Sequence, residues 1–337
     1  MTVPGTPPAP AADLARLAAL HRTMCRIRAF EQAAERAFEQ GLMLGALHVS
    51  IGQEAVAAGV CAHLEDGDVI TSTHRGHGHA LAKGLDPQAM MEELLGRAGG
   101  TCGGKGGSMH LADLRRGLLG ANGIVADGIT IAAGAAHELK RAGGRHVAVA
   151  FFGDGGINRG PFFEALNWAA AFALPLLFVC EDNGFASTTR TSTLSAGPGA
   201  DARAIALGVP AVAVDGNDVA AVDAAAGALL GEIRAGGGPR LLLARTYRLR
   251  GHTANDPARY RTDAEVAEAQ ERDPLRLAED GLARGGAPRA LWEDVLAQET
   301  AAMEEVLEAA TAGPFPAPER AWDDVQDLGR PEPRAAR

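Results

Sequence analysis

The chain has 337 residues, with 42 acidic side chains against 32 lysines and arginines and a formal net charge of −10. That length can bury one large α/β core, and the acidic balance, with basic residues scattered, argues against nucleic acid as a partner. Cys25, Cys61, Cys102 and Cys180 stand far apart with no CxxC pair, which argues against a disulfide scaffold or a cysteine zinc site and suits a reducing cytoplasm.

The opening MTVPGTPPAPAADLARL has no basic start followed by an apolar core. It therefore reads as a flexible Pro/Ala tail over residues 1–12 rather than a signal peptide. No apolar run approaches membrane-spanning length, so no membrane association is expected. Residues 11–40 have helical periodicity, with Leu14, Leu17, Leu20, Met24, Ile27 and Phe30 on one side. Residues 52–64 predict a helix, 68–72 a short strand, and 86–97 a helix entered through Pro87. GRAGGTCGGKGG, residues 96–107, is too glycine-rich for anything but loop. Residues 128–141 predict a small-residue helix. An apolar strand at 146–152, a helical segment and a second apolar strand at 174–180 form a βαβ unit. A strand at 209–214, a helix at 219–234 and a strand at 240–247 follow, the last entered through Gly236, Gly237, Gly238 and Pro239. Residues 249–261 are polar and irregular, a candidate active-site loop, and the rest is helical to about residue 312 before a Pro-rich tail. This alternation predicts a doubly wound, mostly parallel α/β sheet flanked by helices, as one domain over residues 13–325 with a tail at 326–337.

The two strands of the βαβ unit break at Gly153-Asp154-Gly155-Gly156 and at Glu181-Asp182-Asn183-Gly184. Parallel strands joined by a crossover helix end side by side, which would bring Asp154 to Asn183. Taken alone, GDG is a tight turn whose aspartate caps the next helix. Asn158 and Arg159 add polar groups at the helix start, where free N–H groups favour phosphate, and the second turn lies at the matching distance. A carboxylate and a carboxamide flanked by glycines suit a hard cation and the phosphates it carries.

This pattern resembles the thiamine-diphosphate enzymes, whose motif is GDG, some two dozen residues, then a paired Asn. LHVSIGQE from Leu47, THRGHGH from Thr73, CGGKGGSMH from Cys102 and NGIV from Asn122 occur in order. Thr246-Tyr247-Arg248, Gly251-His252 and Asp256-Pro257 extend the likeness. Over about residues 15–325 the chain resembles alpha subunits of the first component of 2-oxo acid dehydrogenase complexes, most nearly the acetoin and pyruvate dehydrogenase alpha chains. The resemblance implies thiamine diphosphate and Mg²⁺, with the metal on Asp154, Asn183 and the Phe185 carbonyl, beside Gly153, Gly155 and Gly156. It implies Arg75 and His252 on the diphosphate, with His74 nearby in place of a Tyr, and the backbones of Gly123 and Val125 on the aminopyrimidine. His48 and His77 would work at the substrate end, with His252 also counted among the catalytic groups. A beta subunit in an α₂β₂ assembly would supply the glutamate that protonates the cofactor ring. A lipoyl-bearing acyltransferase component would take up the acyl unit cleaved from a small-molecule substrate.

Asp182 stands where the first Asn of the pair is usual, and Asp127 and Thr130 also depart from the family pattern. These departures keep open a two-carbon transferase serving a biosynthetic carrier protein, or a non-catalytic regulatory relative. Other readings are weaker. His74, His77 and His79 form no plausible metal cluster, because His-Gly-His would have to bend sharply. His63, His137 and His146 read as ordinary surface or packed histidines. GGTCGGKG lacks the hydroxyl of a P-loop, and no GxGxxG follows a strand. Thr253 occupies the place of a regulatory serine in mitochondrial relatives and reads here as an ordinary loop hydroxyl.

Overall fold

Six strands form one sheet in the order β2-β1-β3-β4-β8-β7, every neighbouring pair parallel. They are β1 (Val69–Thr73), β2 (Leu118–Asn122), β3 (Ala148–Gly153), β4 (Leu176–Asp182), β7 (Ala211–Asp215) and β8 (Arg240–Arg245). The small hairpin of β5 (Phe185–Ala186) and β6 (Thr189–Arg190) follows β4. The computed structural model describes residues 11–323, so the terminal tails expected from the sequence lie almost wholly outside the described residues.

Alternation along the central strands feeds two cores, as the period of two in a pleated strand requires. Val149 and Phe151 of β3 and Leu177 and Val179 of β4 point to one face. That face is covered by α1 (Ala11–Glu39), α2 (Glu54–Cys61), α3 (His77–Lys83), α4 (Pro87–Leu94), α8 (Val219–Arg234) and α11 (Val295–Ala312). Ala148, Ala150, Phe152, Leu176, Phe178 and Cys180 point to the other. There α5 (Asp127–Ala142), α6 (Gly160–Ala171) and α7 (Ala200–Ala206) cover them. The remaining helices, α9 (Asp263–Glu271) and α10 (Pro274–Arg284), follow the long loop after β8, and α10 packs with α1 in a satellite cluster containing Leu20, Met24 and Leu275. Burial of both sheet faces explains why these strands read as unbroken apolar runs.

The predicted helix at 219–234 coincides with α8, and the strand and helix expectations elsewhere agree within a few residues. The helix expected over 86–97 stops at Leu94, capped at its start by Asp86 and entered through Pro87. Elements β2, α3, α7 and the β5–β6 hairpin have no counterpart in the sequence reading. Strand β7 is an edge strand, paired only with β8 among the described residues and with Val212 and Ala213 exposed. Cys25, Cys61, Cys102 and Cys180 are free thiols. No helix among the described residues is long and apolar enough to cross a membrane.

Candidate active site

In an open parallel sheet the carboxyl ends of the strands frame a crevice where the chain order reverses. Here β1 lies between β2 and β3, and a cavity of about 460 Å³ opens at these ends. It is lined from β1 by Thr73, His74 and Arg75, from β2 by Asn122 and the following Gly123 and Val125, and from β3 by Gly153 to Gly156. Asn183 and Phe185 after β4, and Arg248 and His252 after β8, complete it together with His48 and Gln53.

Asp154 and Asn183 meet as the βαβ geometry requires, because β3 and β4 run in register with Gly153 opposite Glu181. The Asp154 carboxylate is buried, and its Oδ2 has no hydrogen-bond partner. Burial raises its pKa to about 7, a hydrogen bond from Thr191 opposes the rise, and the neighbouring Asp182 carboxylate adds to it. Such an orphaned oxygen is what a cation would satisfy. Asn183 is fixed at both ends of its carboxamide: Nδ2 donates to Gln53 Oε1 at 2.8 Å, and Oδ1 accepts from Phe185 N at 3.1 Å. Gln53, which the sequence left without a role, is thus the residue that orients the carboxamide.

Two guanidiniums face the same space. Arg75 donates from Nη1 to the Val49 carbonyl at 2.5 Å and from Nη2 to the His252 carbonyl at 3.0 Å. Arg248 donates to the Ser187 carbonyl and the Tyr260 hydroxyl. Both are buried without an ion pair among the described residues. Burial, then Arg248, lower Arg75 to about 9, so it stays cationic at neutral pH while short of negative charge. Beside the backbone of Gly153 to Gly156, this is a receptive place for an anion carried by a cation.

The rings of His48, His74 and His252 pack edge to face, with centroids 4.8 to 5.7 Å apart. Burial first, and Arg75 second, lower His48 to about 3, His74 to about 2 and His252 to about 4. All three imidazoles are neutral near pH 7, and His48 Nδ1 has no partner. They can donate or accept hydrogen bonds without adding charge beside the arginines.

His77, expected at the substrate end, does not reach the cavity. It opens α3 and is fully buried, with Nδ1 hydrogen-bonded to Glu31 Oε2 at 2.7 Å and Nε2 to the Ser108 hydroxyl at 2.9 Å. Glu31 also accepts from the Ser50 N–H and hydroxyl, both at 2.8 Å, so His77 helps to fix the segment that carries His48. His79 is likewise occupied, by Ser72 and by Glu181, and stacks on Phe151. The histidines that gather are therefore His48, His74 and His252, not the HRGHGH run itself.

The loop carrying Gly123 and Val125 is held by one of the sequence departures. Asn122 Nδ2 donates to Asp127 Oδ2 at 3.0 Å while Asn122 Oδ1 accepts from Ile124 N at 2.8 Å, and the Thr130 hydroxyl caps back onto the Asp127 carbonyl. A Cβ on Gly123 would meet only ordinary contacts, 3.5 Å to the His110 ring, so nothing in the chain itself demands glycine there. At Gly52 the chain does demand it, since φ is +99° and a Cβ would lie 2.4 Å from the Tyr247 carbonyl.

A family model described as dehydrogenase E1 component matches residues 22–319. The chain belongs to the dehydrogenase E1 component family. It is 43% identical over 307 residues to the alpha subunit of acetoin:2,6-dichlorophenolindophenol oxidoreductase from Bacillus subtilis, covering 91% of this chain and 92% of that one. The Cupriavidus necator subunit of the same name is 42% identical over 93% of this chain and 95% of its own. The pyruvate dehydrogenase E1 component subunit alpha of Zymomonas mobilis is 40% identical over 95% and 92%. Membership in the E1 family makes the chain an enzyme component and implies thiamine diphosphate as its cofactor. A buried carboxylate with one orphaned oxygen, a fixed carboxamide, a glycine cradle and two arginines without an ion pair among the described residues fit a metal-bound diphosphate.

Proposed function

We propose that the chain is the alpha subunit of a thiamine-diphosphate-dependent dehydrogenase that acts on acetoin or a 2-oxo acid such as pyruvate and passes the acyl unit to a lipoyl group. The observation that carries this reading is the convergence of Asp154, Asn183, Arg75 and His252 on one cavity in an E1-family chain. When bound, thiamine diphosphate supplies the nucleophilic carbon that opens the bond beside a substrate carbonyl.

The chain's own residues bind and orient. Asp154, Asn183 and the Phe185 carbonyl hold Mg²⁺, and Gly153, Gly155 and Gly156 let the backbone approach the phosphates. Arg75 and the His252 ring offset the diphosphate charge, with Arg248 as a further cation. Gly123 and Val125 offer backbone groups to the aminopyrimidine from a loop braced by Asn122 and Asp127. The neutral His48, buried, and His74, half-buried, hydrogen-bond the substrate oxygen and hold or release a proton there. His77 acts one step back, through Glu31 and Ser50, by fixing the segment of His48.

This chain is half of the site. Ile124 is 62% and Val125 47% exposed at the cavity rim, and Ile131, Phe163, Trp168 and Phe172 are exposed on α5, on α6 and just beyond α6. That apolar face supports a beta subunit that closes the cavity and brings the remaining acid. The test is reconstitution with the beta chain, comparing acetoin, pyruvate and a branched 2-oxo acid with an artificial electron acceptor. At least one should turn over, and none with the alpha chain alone. Turnover by the isolated chain would overturn the half-site reading. Inactivity on all three, with acetyl transfer to a phosphopantetheinyl carrier instead, would replace the dehydrogenase with a biosynthetic transferase.

A further inference from the structure

Asp154 also borders a second cavity of about 400 Å³, called here the rear cavity. Asp154 borders both, whereas Asp182 borders only the rear one, with Asp201, Thr191, Ser195 and Arg245. The register that sets Gly153 opposite Glu181 brings Asp154 and Asp182 level at the ends of β3 and β4. Asp182 ends β4 and accepts the Gly184 N–H at 3.2 Å, while the buried Oδ2 of Asp154 has no hydrogen-bond donor. Both carboxylates, with Asp201, also bear on the buried Cys180 thiol, which burial and their charges hold well above its ordinary range.

We propose that Asp182 supplies a second negative charge to the cation site from beside Asp154, so that this chain takes up its divalent cation without waiting for the diphosphate. The proposal rests on the reading of Asp154 and Asn183 as the metal's ligands. With a carboxamide at 182, one carboxylate would face the cation and the diphosphate would have to supply most of the offsetting charge. Oxygen-ligand sites set their affinity largely by ligand charge and rigidity, and groups that stand behind a ligand tune the metal as well. Asp182 does this without entering the cofactor cavity, so it leaves room for the diphosphate oxygens. Arg245 shares the rear cavity but is exposed, and it forms no ion pair with Asp182 among the described residues. The carboxylate is therefore not cancelled at close range.

The test is titration of the full-length chain with Mn²⁺, reading the free ion by electron paramagnetic resonance, with and without thiamine diphosphate. The unaltered chain should bind one Mn²⁺ in the absence of cofactor. Asp182→Asn, which keeps an oxygen for the Gly184 N–H, should weaken that binding at least about tenfold, and by less once the diphosphate is present. Asp182→Glu should keep it. No cofactor-independent Mn²⁺ in the unaltered chain, or an Asp182→Asn titration that overlays it, would overturn the proposal while leaving the metal site itself intact. Asp154→Asn should abolish binding under both conditions. If it does not, the failure lies instead in the assignment of the ligands.

Discussion

At the scale of single residues, the site is built from charges deprived of their usual partners. Arg75 and Arg248 are buried without an ion pair among the described residues, and the Oδ2 of buried Asp154 has no hydrogen-bond partner. The three cavity imidazoles remain neutral because burial and Arg75 disfavour their protonated forms. This has a consequence for acid stability. Each imidazole titrates near 6.5 in the unfolded chain and lower in the folded one, so below that value the unfolded state binds more protons. The stability they contribute is complete above pH 6.5 and is lost as pH falls toward the folded values of about 2 to 4. His74→Gln removes one such group and should flatten the fall of Tm between pH 6.5 and 4.5, by at most ~1.4 kcal/mol per pH unit. Thermal melts at a series of pH values check it, and parallel profiles for both proteins would count against the neutral assignment.

At the scale of elements, the glycine-rich loop after α4 owes its shape to one buried side chain. The carboxylate of Glu93, within α4, accepts the backbone N–H groups of Cys102, Gly104, Gly106 and Gly107, at 2.6 to 3.1 Å. Glu93→Gln replaces a charged acceptor with a carboxamide that cannot serve all four donors, so a loss of about 2–3 kcal/mol is expected. The loss would be read as a lower urea midpoint. Ser108, which bonds His77, follows directly, so the variant should also loosen the region behind His48. Much at this scale was legible. Strands β3 and β4 announced themselves as apolar runs because both faces are buried, and their polar ends pointed to the meeting of Asp154 with Asn183. Strand β2, LLGAN, is short and broken by glycine, and α3 opens on His-Gly-His without a capping side chain, so neither carried a local signal. That unseen helix start also turned His77 away from the cavity. Gln53, Glu181 and Arg248 owe their places to contacts across 60 to 130 residues, which no local pattern encodes.

At the scale of the whole molecule, the polar side chains of the site come from the ends of β1, β2, β3, β4 and β8, the loops that follow them, or the segment before α2. Strand β7 contributes none to the cofactor cavity, although it belongs to the same sheet. Its side unpaired among the described residues offers a row of backbone donors and acceptors beside exposed Val212 and Ala213, with Asp215 and its Arg272 partner at only one end. Unprotected edges of this kind recruit strands from other molecules. Val212→Lys should therefore raise the temperature at which heated protein scatters light, with the kinetics of the reconstituted enzyme unchanged. An unaltered scattering onset would show that self-association starts elsewhere. If the edge is the culprit, the strand that serves catalysis least sets how concentrated the protein can be kept.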